Sequence, residues 1–199
     1  MLDASKILTG MPDQMVTGTI LSAPLGTPLP TSSTDPLDKK DWRDSGFISE
    51  DGISLKADRS FDDIKDWAGK VRRRLVSESS LTVEFSFLSF DIYALNEVFG
   101  EENVEVSPAT KDKAEQVSVK ITADTLRHKS YVINLKDGQN RLRIVIPEGE
   151  IITDSIEMSF KAGEPILLPA KISAYPNIDE GVFAKIYWDD GKKTEVVNA

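Results

Sequence analysis

A two-residue alternation of apolar and polar side chains runs through the second half of the chain and limits what it can fold into. It begins at Leu81, Val83 and Phe85, and it returns at 117–121, 131–135, 142–146, 156–160, 166–172 and 182–188. Turn-forming residues separate these segments, and the run 137–140, Asp-Gly-Gln-Asn, predicts a hairpin turn. This period is typical of strands with one buried face. The sequence therefore predicts a mainly β protein, an antiparallel sandwich or barrel.

The alternation is interrupted once by a helical pattern. Asp91 is a good N-cap, and the apolar residues 92, 95, 98 and 99 that follow it fall at helical spacing. Gly100 supplies the C-terminal stop. We expect one helix of about three turns that flanks the sheet with a single buried face.

The first half of the chain is different in composition. After an apolar strand pattern at 16–22, four prolines fall between Pro24 and Pro36, and the chain then becomes charged around Trp42. Proline cannot donate to a strand ladder and does not fit a helix interior. We therefore expect residues 24–70 to form a long arm with little regular structure, apart from short extended pairs at 47–49 and 53–55, within a single domain that spans 1–199.

Composition excludes several classes of site. The chain has no cysteine, so it holds no disulfide, thiol nucleophile or cysteine-ligated metal. Its single histidine, His128, excludes a histidine-rich metal site within one subunit. The net charge of -9 does not favour binding to DNA or to an anionic membrane, and no apolar run is long enough to span a bilayer.

No catalytic signature stands out among the remaining polar residues. The adjacent carboxylates Glu101/Glu102 and Asp189/Asp190 fall where turns are expected, which favours a solvated position over acid–base chemistry. His128 lies between Arg127 and Lys129 with no paired nucleophile. We predict a protein without catalysis and without a cofactor or metal.

Five side chains of the first half are candidates for contacts between subunits. Trp42 and Trp67 lie in the polar arm, so either the arm folds back on its own domain or these rings dock on another subunit. Arg72 and Arg74 share one face of a strand, which suggests ion pairs between subunits, although a solvated edge protected by charge is the alternative. Phe47 in the same arm completes the set.

Several segments in the first half resemble one known family. The run 18–31, Gly-Thr-Ile-Leu-Ser-Ala-Pro-Leu-Gly-Thr-Pro-Leu-Pro-Thr, and its continuation at 42–53 are similar to the start of major tail (tail tube) proteins of long-tailed phages, especially siphophages of actinobacteria. The segments 63–69 and 91–100 carry the same likeness, which covers about residues 16–104 in order. The arginine run 72–74 is a departure from it.

The resemblance implies a structural role. Tail tube subunits form rings, expected here to be hexameric, whose inner strands join into one barrel; the rings stack into the conduit through which DNA leaves for the host. The arm at 24–70 would reach a neighbouring ring and become ordered on assembly. Expected partners are further copies of the chain and the tape-measure, tail terminator and baseplate or tip proteins. The subunit would be made in the host cytoplasm and end in the virion tail.

A tube that lets DNA slide needs a wall that repels phosphate, because a basic wall would hold DNA by releasing its counterions. We therefore expect more acidic than basic residues on the lumen strands, with Glu84 as a candidate lumen-facing residue.

Two other classes of function stay open. A non-catalytic β-sandwich module that binds carbohydrate or a host surface needs a concave face lined with exposed aromatic rings, whereas Phe85, Phe87 and Phe160 are predicted in core-facing register. A hydrolase needs two carboxylates that converge from separate strands. No sequence feature indicates such a pair.

Overall fold

The computed structural model describes residues 7–11, 19–152, 156–178 and 180–192. Within them the elements are β1 (Ile20–Pro24), β2 (Arg43–Asp44), β3 (Ile48–Lys65), β4 (Val71–Phe87), α1 (Ile92–Phe99), a 3₁₀ turn (Glu101–Asn103), β5 (Val104–Ser107), β6 (Gln116–Val119), β7 (Lys129–Asp137), β8 (Asn140–Ile151), β9 (Leu168–Ala174) and β10 (Lys185–Asp189). The expectation of a mainly β, antiparallel fold with one flanking helix is confirmed.

Eight of these strands form one antiparallel sheet in the order β2-β1-β7-β8-β9-β4-β3. The eighth, β10, pairs with residues 141–145 of β8, while β9 pairs with residues 149–151 of β8. β5 and β6 form a separate two-stranded sheet. The hairpin predicted at 137–140 joins β7 to β8.

The register distinguishes two ends of the sheet. One continuous row of paired residues crosses six strands, and we name it the Pro24 end; its members are Pro24, Lys129, Gly149, Ala174, Leu81 and Ala57. At the other end of the same strands Phe87 pairs with both Ile48 and Leu168, and we name this the Phe87 end.

The main core lies between α1 and one face of the sheet. Residues 81, 83, 85 and 87 of β4 are all buried, and the rings of Phe85 and Phe87 meet edge to face at 5.0 Å. α1 begins at the Phe87 end, where the Asp91 side chain accepts a hydrogen bond from the Ala94 amide at 2.9 Å. It ends at Gly100, whose φ of 89° disfavours a side chain. The predicted cap and stop are both confirmed.

A smaller apolar cluster covers the opposite face of β1, β7 and β8. Its buried members are Leu21, Ala23, Trp42, Val132 and Val145. The segment between β1 and β2 supplies Leu29 and Leu37 to this cluster as well as Trp42. Residues 25–42 therefore form a cap on the sheet of their own chain.

Arg143 fastens this cap to β8. Its guanidinium donates to the carbonyl oxygens of Ser32 at 3.1 Å and Asp35 at 2.7 Å, and to the side-chain oxygen of Asn134 at 2.8 Å. The Asp35 carboxylate in turn accepts bonds from the backbone amides and hydroxyls of Thr31 and Ser32. Residues 31–35 therefore form a tight turn whose carbonyl oxygens accept hydrogen bonds from Arg143.

Three predictions about individual segments are wrong or shifted. Residues 48–65 of the expected irregular arm form β3, an 18-residue strand, because β4 pairs with it along almost its whole length. Residues 156–160 are not a strand: Ile156 and Met158 pack on the core as predicted, but Phe160 is exposed. The strand expected at 16–22 begins at Ile20, and 16–18 lie outside the described residues.

Candidate assembly surfaces

The β3–β4 hairpin extends far beyond the Pro24 end of the sheet. β9 pairs with β4 only at residues 81–87, so, within the part of the chain that the structure describes, residues 58–65 of β3 and 71–80 of β4 pair only with each other. We call residues 58–80 the free hairpin. At roughly 3.3 Å per strand residue, its ten-residue β4 portion reaches about 33 Å past the sheet. Apart from the half-buried Asp66, every residue of the free hairpin is exposed.

The free hairpin carries large apolar side chains that stay exposed, even though two of them, Phe61 and Val76, lie opposite each other in the register. Their exposed fractions run from 39% to 106%, for Phe61, Ile64, Trp67, Val71, Leu75 and Val76. Trp67 is the extreme case at 106%. An isolated two-stranded ribbon has no interior in which to bury such residues. Tryptophan is enriched at the centres of protein interfaces, so this surface has the composition of a contact site.

The tip of the free hairpin is a closed turn that presents Trp67. The Asp66 amide donates to the Lys70 carbonyl at 2.9 Å, and the Lys70 amide donates to the Asp66 side chain at 2.9 Å. Gly69 takes a φ of 77°, which only glycine adopts without strain. Trp67 therefore lies on a structured turn.

Both candidate arginines form ion pairs inside the free hairpin. The Arg74 guanidinium donates two hydrogen bonds, of 2.7 and 3.1 Å, to the Asp63 carboxylate and lies 5.8 Å from the centre of the Phe61 ring. Arg72 donates to Asp66 at 2.7 Å. The bonds from Arg74 lower the pKa of Asp63, and those from the Lys70 amide and Arg72 lower the pKa of Asp66. Both pairs are formed within one chain, and a role between subunits stays a prediction for both arginines.

A second exposed apolar surface lies at the Phe87 end. We call it the end patch, and its members, each 45% to 65% exposed, are Phe47, Leu88, Phe90 and Tyr93. Phe47 is held beside residues 88–89, because its carbonyl accepts from the Leu88 amide at 2.8 Å and its amide donates to the Ser89 hydroxyl at 2.8 Å. Phe47 was a predicted contact candidate; the other three were not.

A comparison with protein families decides the class of this chain. The sequence model of the family described as phage tail tube protein matches residues 12–195. The chain belongs to the phage tail tube protein family. The predicted resemblance to major tail proteins is therefore confirmed at the level of the family, and it extends well beyond residues 16–104. No curated protein matches the chain.

The two candidate tryptophans of this tail tube protein lie in different environments. Trp67 is free to meet another subunit. Trp42 is only 4% exposed and packs in the smaller apolar cluster. The alternative in which the arm folds back on its own domain therefore holds for Trp42, and we do not keep it as a contact candidate.

The lumen candidate Glu84 lies on the face of β4 away from the main core. Its neighbour in the register on β9 is Lys171, and the two side chains form an ion pair at 3.5 Å. On the same face Lys56 pairs with Asp58 at 2.8 Å. Charges on this part of the tail tube subunit are thus nearly balanced, and the unpaired excess that the lumen hypothesis requires is not concentrated at Glu84.

The polar cluster nearest to a catalytic arrangement lies at the Pro24 end. His128 stacks on Tyr175 at 4.6 Å and contacts Glu148 at 2.8 Å and Glu150 at 3.6 Å. All four side chains tie together the ends of β7, β8 and β9. Among the described residues no group of three or more carboxylates and histidines could hold a metal ion, and no helix there has the length and apolar character of a membrane span.

A cavity of about 300 Å³ opens beside this cluster. The buried Glu97 of α1 lines it and accepts bonds from Ser22 at 2.6 Å and Lys129 at 3.0 Å. These bonds connect α1 to β1 and β7. Glu97 therefore links α1 to two strands of the sheet, which is a structural role.

Proposed function

We propose that this chain is the subunit of stacked, hexameric rings that form the tail tube of a long-tailed phage, of the kind that infects actinobacteria, and that DNA passes through this tube into the host. The observation that carries the proposal is the free hairpin, which exposes six large apolar side chains along a ribbon that reaches about 33 Å beyond the sheet. None of the other described residues of the chain covers them, so a second copy of the chain is the partner that we infer.

The sheet supports the same function because it is open at its edges. Among the described residues, β3 has an unpaired outer edge along its whole length, and residues 71–80 of β4 have a second one. Exposed edges are templates for pairing with another chain. Joined edges between subunits would give a continuous barrel. Charged side chains along β3, such as Lys56, Asp58 and Arg59, keep these edges from pairing indiscriminately.

In this function the subunit has no catalysis and no cofactor. It meets further copies of itself along the tube, the tape-measure protein inside it, and the terminator and baseplate or tip proteins at its ends. It is made in the host cytoplasm and resides in the virion tail. The carbohydrate-binding alternative is not favoured, since Phe85 and Phe87 are in the core and the most exposed ring, Trp67, lies at the tip of a projecting ribbon.

Electron microscopy of the purified chain across a concentration series, with light-scattering mass, tests the proposal. Rings and hollow tubes of sixfold symmetry are the expected result. Hydrogen exchange on the same samples should show residues 58–80 gaining protection in the tube, because the amides that point outward from the two paired strands lie on solvated edges in the free subunit. A chain that stays monomeric even when mixed with tail tip complexes would refute the proposal.

A further inference from the structure

A buried carboxylate oxygen beside the cavity at the Pro24 end has no partner in the fold. Glu97 lines this cavity, and its side chain is only 7% exposed. Both hydrogen bonds that join Glu97 to the strands, from Ser22 and from Lys129, end on the same oxygen, Oε1. The other oxygen, Oε2, is buried and accepts no hydrogen bond from the residues that the structure describes. A carboxylate accepts about four hydrogen bonds, so Glu97 has capacity for two further donors.

This oxygen sets the first requirement for an occupant of the cavity, which is a hydrogen-bond donor. A buried acceptor without a partner is unfavourable, because it has lost its hydration and gained no bond in exchange. The last torsion of a glutamate side chain is soft, so a small rotation turns Oε2 of Glu97 toward the cavity. A donor that enters the cavity therefore meets an acceptor that no other group occupies.

The charge of the cavity walls sets the second requirement, which is a positive charge. Four carboxylates and two cations line the cavity, and these six side chains are Glu97, Glu101, Glu102, Asp124, Arg127 and Lys129. Asp124 is exposed and forms no ion pair with another described residue. α1 ends beside the cavity at Gly100 with no basic residue in its last turn, so its carbonyl end adds negative partial charge.

The remaining walls set the size and the body of the occupant. Five residues with apolar or aromatic side chains contribute to the lining, namely Pro24, Leu25, Leu126, Tyr131 and Ile151. The volume of about 300 Å³ is that of roughly ten water molecules and lies at the lower end of the range for small-molecule sites. A bare metal ion would leave these walls unused. The cavity therefore suits a small organic cation with a hydrocarbon body.

We propose that this cavity binds a short linear diamine, which carries an ammonium group at each end of a hydrocarbon chain. One ammonium group donates to Oε2 of Glu97, the chain lies along the apolar walls, and the other ammonium group faces the exposed Asp124. Both amino groups are charged at neutral pH, as a lysine side chain is. The site lies apart from the free hairpin, and the proposal does not depend on the proposed function.

Calorimetric titration of the chain with 1,5-diaminopentane at about 0.15 M salt tests the proposal. We expect saturable binding of one diamine per chain. Glu97→Gln keeps the shape of the side chain and removes its charge, so it should weaken binding roughly tenfold or more, the effect of one hydrogen bond to a charged group. Asp124→Asn should weaken it roughly threefold, the effect of an exposed ion pair. Glu115→Gln, at an exposed position outside the cavity, is the matched control and should not change it.

A fourth variant keeps the test valid if Glu97→Gln disturbs the fold. Thr125 is an exposed residue of the lining, so Thr125→Trp places a large ring in the cavity without removing a bond of Glu97, and it should abolish binding. 1-Aminopentane has one ammonium group, so it should bind more weakly than the diamine and be insensitive to Asp124→Asn. Equal binding of the diamine to wild type, Glu97→Gln and Thr125→Trp would mean that it associates only with the acidic surface, and this result would overturn the proposal. Absence of saturable binding to the wild-type chain would overturn it as well.

Discussion

Replacing Arg143 by alanine separates two interpretations of residues 25–42. If this segment is a cap on its own sheet, then Arg143 is its main polar attachment; if it is an arm that leaves the subunit, Arg143 should matter little. Arg143 is 8% exposed and donates to three oxygens at 2.7–3.1 Å, two of them carbonyls of the cap.

The expected loss of stability follows from those three bonds. A hydrogen bond from a charged donor contributes about 1.5–3 kcal/mol, and truncation leaves the acceptors buried without a partner. Water entering the space left by the side chain restores part of this loss. We expect the free energy of unfolding to fall by roughly 3–5 kcal/mol, a large share of the total for a domain of this size. With a slope of about 2 kcal/mol/M, the urea midpoint falls by about 2 M.

Urea unfolding followed by tryptophan fluorescence measures this loss, because Trp42 reports on the cap. Arg141→Ala is the matched control, since Arg141 is exposed on the same strand two residues away, and it should change stability by less than about 0.5 kcal/mol. Arg143→Lys should be intermediate, because a single ammonium cannot match the fork of the guanidinium. A loss below about 1 kcal/mol for Arg143→Ala would refute the cap interpretation.

Three further outcomes follow from individual residues. Trp67→Ala should leave the unfolding midpoint unchanged and raise the concentration needed for assembly roughly 30- to 900-fold, the equivalent of about 2–4 kcal/mol for a buried interface tryptophan. The control Ile178→Ala, at another exposed position, should change neither quantity. Equal assembly of the two variants would contradict the role of Trp67. Hydrogen bonds from Ser32 and Thr31 lower the pKa of Asp35 from 3.8 to about 2, so its stabilising effect is complete above pH 4 and disappears as the pH falls through 2. The stability difference between wild type and Asp35→Asn should therefore shrink between pH 6 and pH 2.5, and a constant difference would count against the Asp35 turn. If Glu84 faces the lumen, Glu84→Lys tubes should retain DNA at 50 mM salt and release it at 200 mM, and Glu115→Lys tubes should not; retention by neither variant would place Glu84 elsewhere.

The elements that the sequence predicted correctly are those specified by near neighbours in the chain. α1 has its own cap and stop in Asp91 and Gly100, and the turn at 137–140 joins two alternating segments. β3 was missed because both of its faces are exposed beyond Ala57, so no alternation of apolar residues marks it. Its strand structure comes from pairing with β4, which a local pattern does not reveal.

The members of the candidate surfaces were predicted only where their local sequence context marks them. Trp67 and Phe47 could be selected as apolar residues in a polar context. The burial of Trp42 depends on Val132 and Val145, which are about 90 residues or more away in the chain, so its neighbours gave no indication of it. Phe90 and Tyr93 lie beside the apolar stripe of α1 and are not part of it. The helical pattern therefore does not indicate that these two side chains are exposed together.

β4 is one continuous strand, of which one half is paired within the sheet and the other half projects beyond it, and this has a mechanical consequence. Its residues 81–87 are held by seven register pairs with β9, while its residues 71–80 form the outer half of the hairpin. Hydrogen bonds between strands lie perpendicular to the strand axis. A pull on the tip along that axis therefore shears all seven pairs at once and does not open them one after another. A contact made through the free hairpin would therefore withstand a pull along β4 better than a pull that peels β4 from the edge of β9.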